Sequence, residues 1–556
     1  MGNADEMQTP KGLFNTSDTG LHMSYFIGNY KGGRNESFMY GADENIHCFD
    51  YDLVSAYTTA MSHLALPEYN KGHLITQEDV ESMSSEDLLT GYLIINGSFN
   101  FPKEVKYPSI PCYIDSSTTV YPLTGKCLLT GPEYLLAKSQ GASITFKSSY
   151  YIPPKETKRK VGPVEITTPI KPFCDIIGEI QAKRREFPKG SVLNLLYKEM
   201  GNSIYGNLVR GMSNKKSFDI KSGKMLRVGA TEISNPILAS WTTAFVRSVI
   251  GECLHNVSLL GGKVVSVTTD GFITDLPNLE DHLMKLKKNE RPLLSLYRNL
   301  RHELSQSYTA IETKQDGRGI ISWTTRGQLG IGSNIKATTG FQSKGYEKVE
   351  LVSTFLNTLK NRDKYFEYTR TRLRSAKDIF SKGGHVTTIL NDQTFRMLYD
   401  NRRQIVETPD FEGHDLSNKL LDSKPLQNSN ACKTMRFLSK LPHSKPYNKI
   451  TSGRSGNTYK SFIEVGVRSF IKGYFSSDPC FGFGLKGTEF ASVNPLISFI
   501  KDFDLTKDLK ISNSSISRLK NRRSIQKPVP CTKENKAFAE YIKEHIPHFD
   551  ITSFLK

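Results

Sequence analysis

Three short stretches of the chain carry residue types suited to phosphoryl chemistry. IHCFDYDLVSAYTTAM, residues 46–61, begins with strand-like character and becomes helix-compatible after Asp52, so a carboxylate stands at a strand end, where it can bind metal. Taken alone, an aspartate there is more often a helix cap. A second acid lies in VVSVTTDGFIT, where β-branched residues flank Asp270-Gly271, a strong signal for a tight hairpin turn with Asp270 at its tip. An isolated Asp-Gly is more often an ordinary exposed turn. Between the two acids, Lys198-Glu-Met-Gly-Asn202-Ser203-Ile-Tyr205-Gly206 spaces Lys198, Asn202 and Tyr205 at i, i+4 and i+7, so one helical face presents a cation, an amide and a ring. That face suits a nucleoside triphosphate, and Gly206 leaves room for a base pair. A basic amphipathic helix has a similar character, yet five specified residues recur by chance about once in a few million positions.

These residues need elements to position them. The stretch YYIPPKETKRKVGPVEITTPIKP, 150–172, reads as a loop because prolines and charges exclude a regular helix. A helical pair follows, one helix over about 175–187, ending before Pro188, and one from about Ser191 with apolar positions Val192, Leu195 and Leu196. MSNKKSFDIKSGKMLRV has the alternation and Ser-Gly turn of a short β-ribbon, ILASWTTAFVRSVIGECL reads as a buried helix, and KVVSVTTDGFITDL as a hairpin. From about residue 345 the chain turns more helical and more basic.

A chain of 556 residues is too long for one ordinary core, and 37% hydrophobic residues suffice for globular folding. No window approaches eighteen consecutive apolar residues, and MGNADEMQTPKG has neither a basic nor an apolar leader region, so a cytoplasmic location is expected, with no membrane. Eight scattered cysteines lack zinc-site spacing and read as reduced thiols. Seventy-four Lys and Arg against 56 Asp and Glu leave +18, which favours a polyanionic partner, although solvated lysines alone give the same balance. From Ser423 to Ile463 there is no acid, while Lys433, Arg436 and Lys440 accumulate with Tyr447 and Tyr459 nearby, the pattern of a surface that follows a phosphate backbone.

Together these stretches resemble the family B DNA polymerases. Asp52-Leu-Val-Ser55-Ala-Tyr57 resembles motif A, Lys198 to Gly206 resembles motif B, and Thr268-Thr269-Asp270-Gly271 resembles motif C, in the family's order. Upstream, Tyr30-Lys-Gly32-Gly33-Arg34 is similar to the Tyr-x-Gly-Gly template-binding element of the protein-primed branch. Downstream, Thr325 and Arg326 fall where the family keeps a basic primer-strand motif. The resemblance covers roughly residues 25–410 and implies an α/β right hand: an antiparallel-sheet palm, helical fingers and a mostly helical thumb. The implied division is an N-terminal segment 1–45, palm 46–172 with an insertion like the terminal-protein region, fingers 173–207, a β-ribbon insertion 208–230, palm 231–345, thumb 346–470 and an extension 471–556.

The chemistry the resemblance implies is template-directed addition of deoxynucleotides to a primer 3′-hydroxyl. Asp52 and Asp270, with the Leu53 carbonyl, are the implied ligands of two magnesium ions, manganese being a substitute. Lys198 and Arg185, with Arg184 the alternative, are implied to neutralise the triphosphate. Ser55, Tyr57, Asn202 and Tyr205 are implied nucleotide contacts, Tyr57 under the sugar, and Ser203 and Gly206 join Tyr30, Gly32, Gly33 and Arg34 on the DNA. Asp50 and Asp275 are candidates for tuning the site, Asp275 reading better as a solvated strand end. The implied partners are template-primer DNA, deoxynucleoside triphosphates and a terminal priming protein. Too few residues precede Tyr30 for a nuclease domain, so any exonuclease is expected on a separate chain.

The sequence departs from the family at motif C, which usually reads Asp-Thr-Asp-Ser; here Thr268 replaces the first acid and Gly271 the serine. The second acid is the family's metal ligand, and Asp270 keeps that position. Ala56 and Thr58 stand where Leu and Pro are usual. The altered motif C motivates an alternative, a non-catalytic DNA-binding scaffold derived from a polymerase. An RNA polymerase or reverse transcriptase also needs two acids, but not the helix from Lys198 to Gly206.

Overall fold

The computed structural model describes residues 19–432 except 115–117, 162–163, 213–214, 336–347, 361–365, 384–387, 396 and 407–414, and beyond them 467, 470–471, 493–503 and 533–545. The chain divides into two compact units, Met1–Gln427 and Asn428–Lys556. That division falls inside the stretch expected to be one thumb.

The first unit mixes helices with antiparallel sheets. Its main sheet has eight strands, and its axis is the long strand Met39–Leu53. This strand pairs antiparallel with Gly271–Thr274 on one side and Ile311–Thr324 on the other. Period-two alternation buries Tyr51 and Leu53 on one face and puts Asp50 and Asp52 together on the other. The helix Pro236–Leu259 packs in the same core. Asn235 caps it by accepting from the Ile237 and Leu238 amides, and Pro236 occupies the first turn, where a missing N–H costs nothing. It is the one described helix long and apolar enough to cross a membrane, and its apolar window is wholly buried inside the protein.

The helical pair forms at Cys174–Arg185 and Val192–Leu208, the second capped by Ser191, whose hydroxyl accepts from the Asn194 amide. Val192, Leu195 and Leu196 are exposed rather than packed. The ribbon forms as Lys216–Asp219 paired with Lys224–Arg227.

Two expectations need correction. Residues 150–172 are not a loop: Ser143–Ile152 belongs to a four-stranded sheet, and Glu156–Val161 pairs with Val164–Pro169. Proline excludes helix but is tolerated at strand ends, and Val161, Val164, Ile166 and Thr167 favour extended backbone. Nor is the stretch 346–470, expected as a mostly helical thumb, mostly helical where it is described. Helix Lys348–Lys360 precedes a ribbon of Phe366–Leu373 with Thr388–Phe395, rich in aromatic and β-branched residues, whose strands are connected through the helix Ala376–Lys382, and Leu420–Lys424 returns to pair with Met39–Gly41 of the main sheet. In the second unit, the described helices Val493–Asp502 and Lys533–His545 are joined by ring contacts of Phe503 with Phe538 and Tyr541. The six described cysteines form no disulfide, and five of them are buried.

Candidate functional site

Asp52 is not a helix cap, because the helix Ala56–His63 takes Ser55 as its N-cap and Asp52 remains in the strand. Strand pairing sets it opposite Gly271 on one side and Glu312 on the other. Asp270 lies at the hairpin tip, but one residue off the expected register: the turn residues are Thr269 and Asp270, with Thr268 opposite Gly271. The Asp270 amide donates to the Thr268 carbonyl at 2.8 Å, and Thr269 takes a left-handed φ of 63°. The Leu53 amide donates to the Asp270 carbonyl at 2.8 Å, stitching the two acid-bearing segments together.

Both acids are held above the usual carboxylate range, in each case first by burial. The charge of Asp52 adds to the effect on Asp270, and Lys314 opposes it on Asp52. Asp50, on the same face, is pushed up to about 7 by burial and then by Asp52. No group of three or more His, Cys, Asp or Glu suited to a metal ion occurs among the described residues. Two interacting, partly desolvated carboxylates nevertheless fit magnesium, which takes one or two protein carboxylates and completes its shell with water and substrate phosphate. Asp275 is set apart: it accepts from the Lys263 amide at 2.7 Å and closes the strand end.

Positive charge approaches from two directions. Lys198 on the second helix of the pair is exposed and lowers the pKa of both acids. Lys314, which sequence reasoning missed, places Nζ 3.5 Å from Asp52 Oδ2 and pairs with Glu312. A Glu-x-Lys on a strand is unremarkable in sequence; only the register opposite Asp52 gives it meaning. Of the two arginines, Arg185 donates to the Leu304 carbonyl at 3.2 Å, whereas Arg184 acts electrostatically on Glu312.

Three tyrosines from distant segments converge here. The rings of Tyr57 and Tyr205 stack at 4.5 Å, and the Tyr30 and Tyr205 hydroxyls lie 3.2 Å apart. Burial pushes the phenols of Tyr57 and Tyr205 well up, with Asp270 adding to the effect on Tyr57. Asn202, Ser203 and Gly206 are exposed. A Cβ at Gly206 would meet nothing within 4 Å, whereas one at Gly201 would stand 3.0 Å from Thr58 Cγ2, so Gly201 is the glycine that packing requires.

Several implied DNA contacts are engaged internally. Arg34 is fully buried, paired with Glu36 at 2.7 Å and stacked 4.1 Å over Tyr121, so it does not present its charge to a phosphate backbone. Its neighbour Gly32, at φ 67°, gives its carbonyl to Arg247 Nη1 at 2.5 Å. The Thr325 hydroxyl donates to Asp400 at 2.5 Å. Exposed Arg326 donates to Asn35 Oδ1 and Thr269 Oγ1. Lys433, Arg436 and Lys440 lie outside the described residues.

No protein-family model matches the chain. Over 435 residues it is 29% identical to a primer-independent DNA polymerase PolB of Escherichia coli, an alignment covering 75% of this chain and 46% of that one. The chain therefore spans about half the length of the curated relative it matches. Among solved structures it is similar to Phi29 DNA polymerase with primer-template DNA and incoming nucleotide, at 14% identity and a TM-score of 0.42, over 69% of this chain and 64% of that one. It is also similar to a family B DNA polymerase of Pyrobaculum calidifontis, at 11% identity and a TM-score of 0.23, over 76% and 48% of the two chains.

Proposed function

We infer that this chain, a relative of the family B DNA polymerases, is itself a DNA-directed DNA polymerase that adds deoxynucleotides to a 3′-hydroxyl on a template strand. The observation that carries this reading is the joining of Asp52, at a strand end, to Asp270, at the tip of the neighbouring hairpin, with Lys198 and Lys314 acting on their charge. In this reading the eight-stranded sheet is the palm, the helical pair the fingers, and the described residues after 347 part of a thumb. The ribbon at 216–227 is read as the strand-displacing insertion. Support for that reading comes from Phe218, which packs edge-on against Phe380 of the proposed thumb at 5.3 Å.

Asp52 and Asp270 are the residues to hold magnesium, which when bound supplies Lewis-acid stabilisation of charge on the transferring phosphate. The remaining work falls to side chains. Lys198 and Arg184 bind the triphosphate and offset its charge as pyrophosphate departs. Tyr57, fixed by stacking on Tyr205, is a flat wall for the sugar. Lys314 balances Asp52 and keeps the strand-borne acid oriented toward the hairpin. The net charge of +18 supports binding of template-primer DNA through dispersed phosphate contacts.

Two modes of initiation are open to this site. The Tyr30 to Gly33 element, in contact with Tyr205, supports the protein-primed reading, with a terminal protein as hydroxyl donor. The name of the Escherichia coli relative favours a second, synthesis without any primer. Extension of a labelled primer with magnesium and four deoxynucleotides, wild type beside Asp270→Ala, tests the activity; no extension by the wild type overturns it. The same reaction without primer, with and without candidate priming proteins, separates the two modes.

A further inference from the structure

Thr269 immediately precedes Asp270 and holds a left-handed φ of 63°. A β-branched residue rarely adopts that conformation and keeps it only where its surroundings impose it. Three segments supply those surroundings. Gly33 lies so close that a Cβ on it would fall 2.6 Å from Thr269 Cγ2 and 2.9 Å from Thr269 Cα. Asn35 Oδ1 lies 3.4 Å from the Thr269 hydroxyl and accepts from Arg326 Nε at 3.1 Å, while Arg326 Nη2 donates to Thr269 Oγ1 at 3.2 Å. Asn35 is itself fixed: its Nδ2 donates to the Gly33 carbonyl at 3.0 Å, its own carbonyl accepts from Arg402 Nη1 at 2.8 Å, and pairing sets it opposite Thr268. Arg326 is also left-handed, with φ 60°, so both halves of the clasp occupy constrained backbone.

We propose that Asn35 and Arg326 are positioning residues that clasp Thr269 in its left-handed turn and thereby aim the Asp270 carboxylate at Asp52. The proposal rests on the polymerase reading of the two acids and gives Arg326 a task distinct from holding a primer strand. A misaimed carboxylate slows turnover and weakens cation binding, whereas a lost DNA contact raises the KM for primer-template.

The decisive variant is Asn35→Ala, measured by primer extension and by manganese titration of the DNA-free protein, with free Mn2+ read by electron paramagnetic resonance. Asn35→Ala is expected to lower kcat about tenfold and weaken manganese binding several-fold, with the KM for primer-template within about twofold. Asn35→Asp, which keeps an acceptor for Arg326 but loses the donor to the Gly33 carbonyl, restores only part of both. In a Thr269→Gly background, where residue 269 adopts positive φ without a brace, Asn35→Ala changes either quantity by less than about twofold. The clasp is overturned if Asn35→Ala leaves turnover and manganese binding at wild-type values, if its effect is confined to the KM for DNA, or if its effect is undiminished beside Thr269→Gly. If the wild type extends no primer, the polymerase reading fails, and the manganese titrations still decide the clasp.

Discussion

A Cβ on Gly271 would stand 1.9 Å from Asp52 Oδ1 and 2.7 Å from the Tyr51 carbonyl oxygen, so the Asp52 carboxylate lies over the bare backbone of residue 271. The glycine that departs from the usual serine of motif C is thus fitted to this placement of the acid. Gly271→Ala, and Gly271→Ser equally, must push Asp52 aside. Both are expected to cut primer extension by about a hundredfold while leaving DNA retention in a gel-shift assay near wild type. Full activity of Gly271→Ser would show that Asp52 has room this arrangement does not reveal.

Asp52→Ala and Asp270→Ala are each expected to abolish extension and spare template binding, which depends on many basic side chains rather than two acids. Thr268→Ala keeps substantial activity, since Thr268 occupies the motif's first-acid position without a carboxylate to contribute. Steady-state extension of the three variants side by side checks the assignment; loss with Thr268→Ala but not Asp270→Ala refutes it.

Tyr57 stacks on Tyr205 and cannot swing freely, which under the proposed nucleotide-binding role makes it a fixed barrier to the sugar. Tyr57→Val opens space for a 2′-hydroxyl, so ribonucleotide incorporation should rise at least about tenfold relative to deoxynucleotide. Equal discrimination by the two proteins, measured in single-nucleotide competition, removes this role from Tyr57.

Glu252 is buried in the long helix Pro236–Leu259, where it accepts the Leu293 and Leu294 amides, and burial lifts its carboxyl to about 8. Asp50 is lifted the same way, to about 7. An acid whose folded pKa lies above its unfolded one binds more protons folded than unfolded, so stability is greatest below the unfolded pKa and falls as pH rises to the folded value. Thermal stability should therefore decline between about pH 5 and 8, and Glu252→Gln should lessen that slope while lowering stability at pH 6 by about 1–3 kcal/mol through a lost acceptor. Calorimetric scans across this range would refute the idea if wild type and variant kept parallel slopes.

The acids, the Lys198 helix and the buried helix were legible because each is marked by local pattern: a period, a turn pair, a spacing. Lys314 was not, because its proximity to Asp52 comes from register across two strands far apart in sequence. Arg34 was misread for a related reason. A charged residue beside two glycines suggests a phosphate contact, but Glu36 and the ring of Tyr121 remove it from solvent, and the Tyr121 contact depends on the fold closing. The engagement of Arg185 by the Leu304 carbonyl likewise comes from the end of another helix. The ribbon Phe366–Leu373 with Thr388–Phe395 was missed because its basic residues drew attention from a strand-like alternation.

The buried pair of Arg247 and Glu133, with Arg247 also holding the Gly32 carbonyl, bears on how this protein tolerates recombination with its relatives. Glu133 lies in the segment where insertions are expected, Arg247 in the long core helix, and Gly32 in the N-terminal loop, so one ionic knot ties three stretches that a chimera would naturally exchange separately. A hybrid that imports a partner segment lacking the carboxylate strands a guanidinium in the interior, at a cost of about 3–5 kcal/mol. Crossover points that keep residues 32, 133 and 247 from the same parent should give soluble hybrids where finer shuffling yields aggregates.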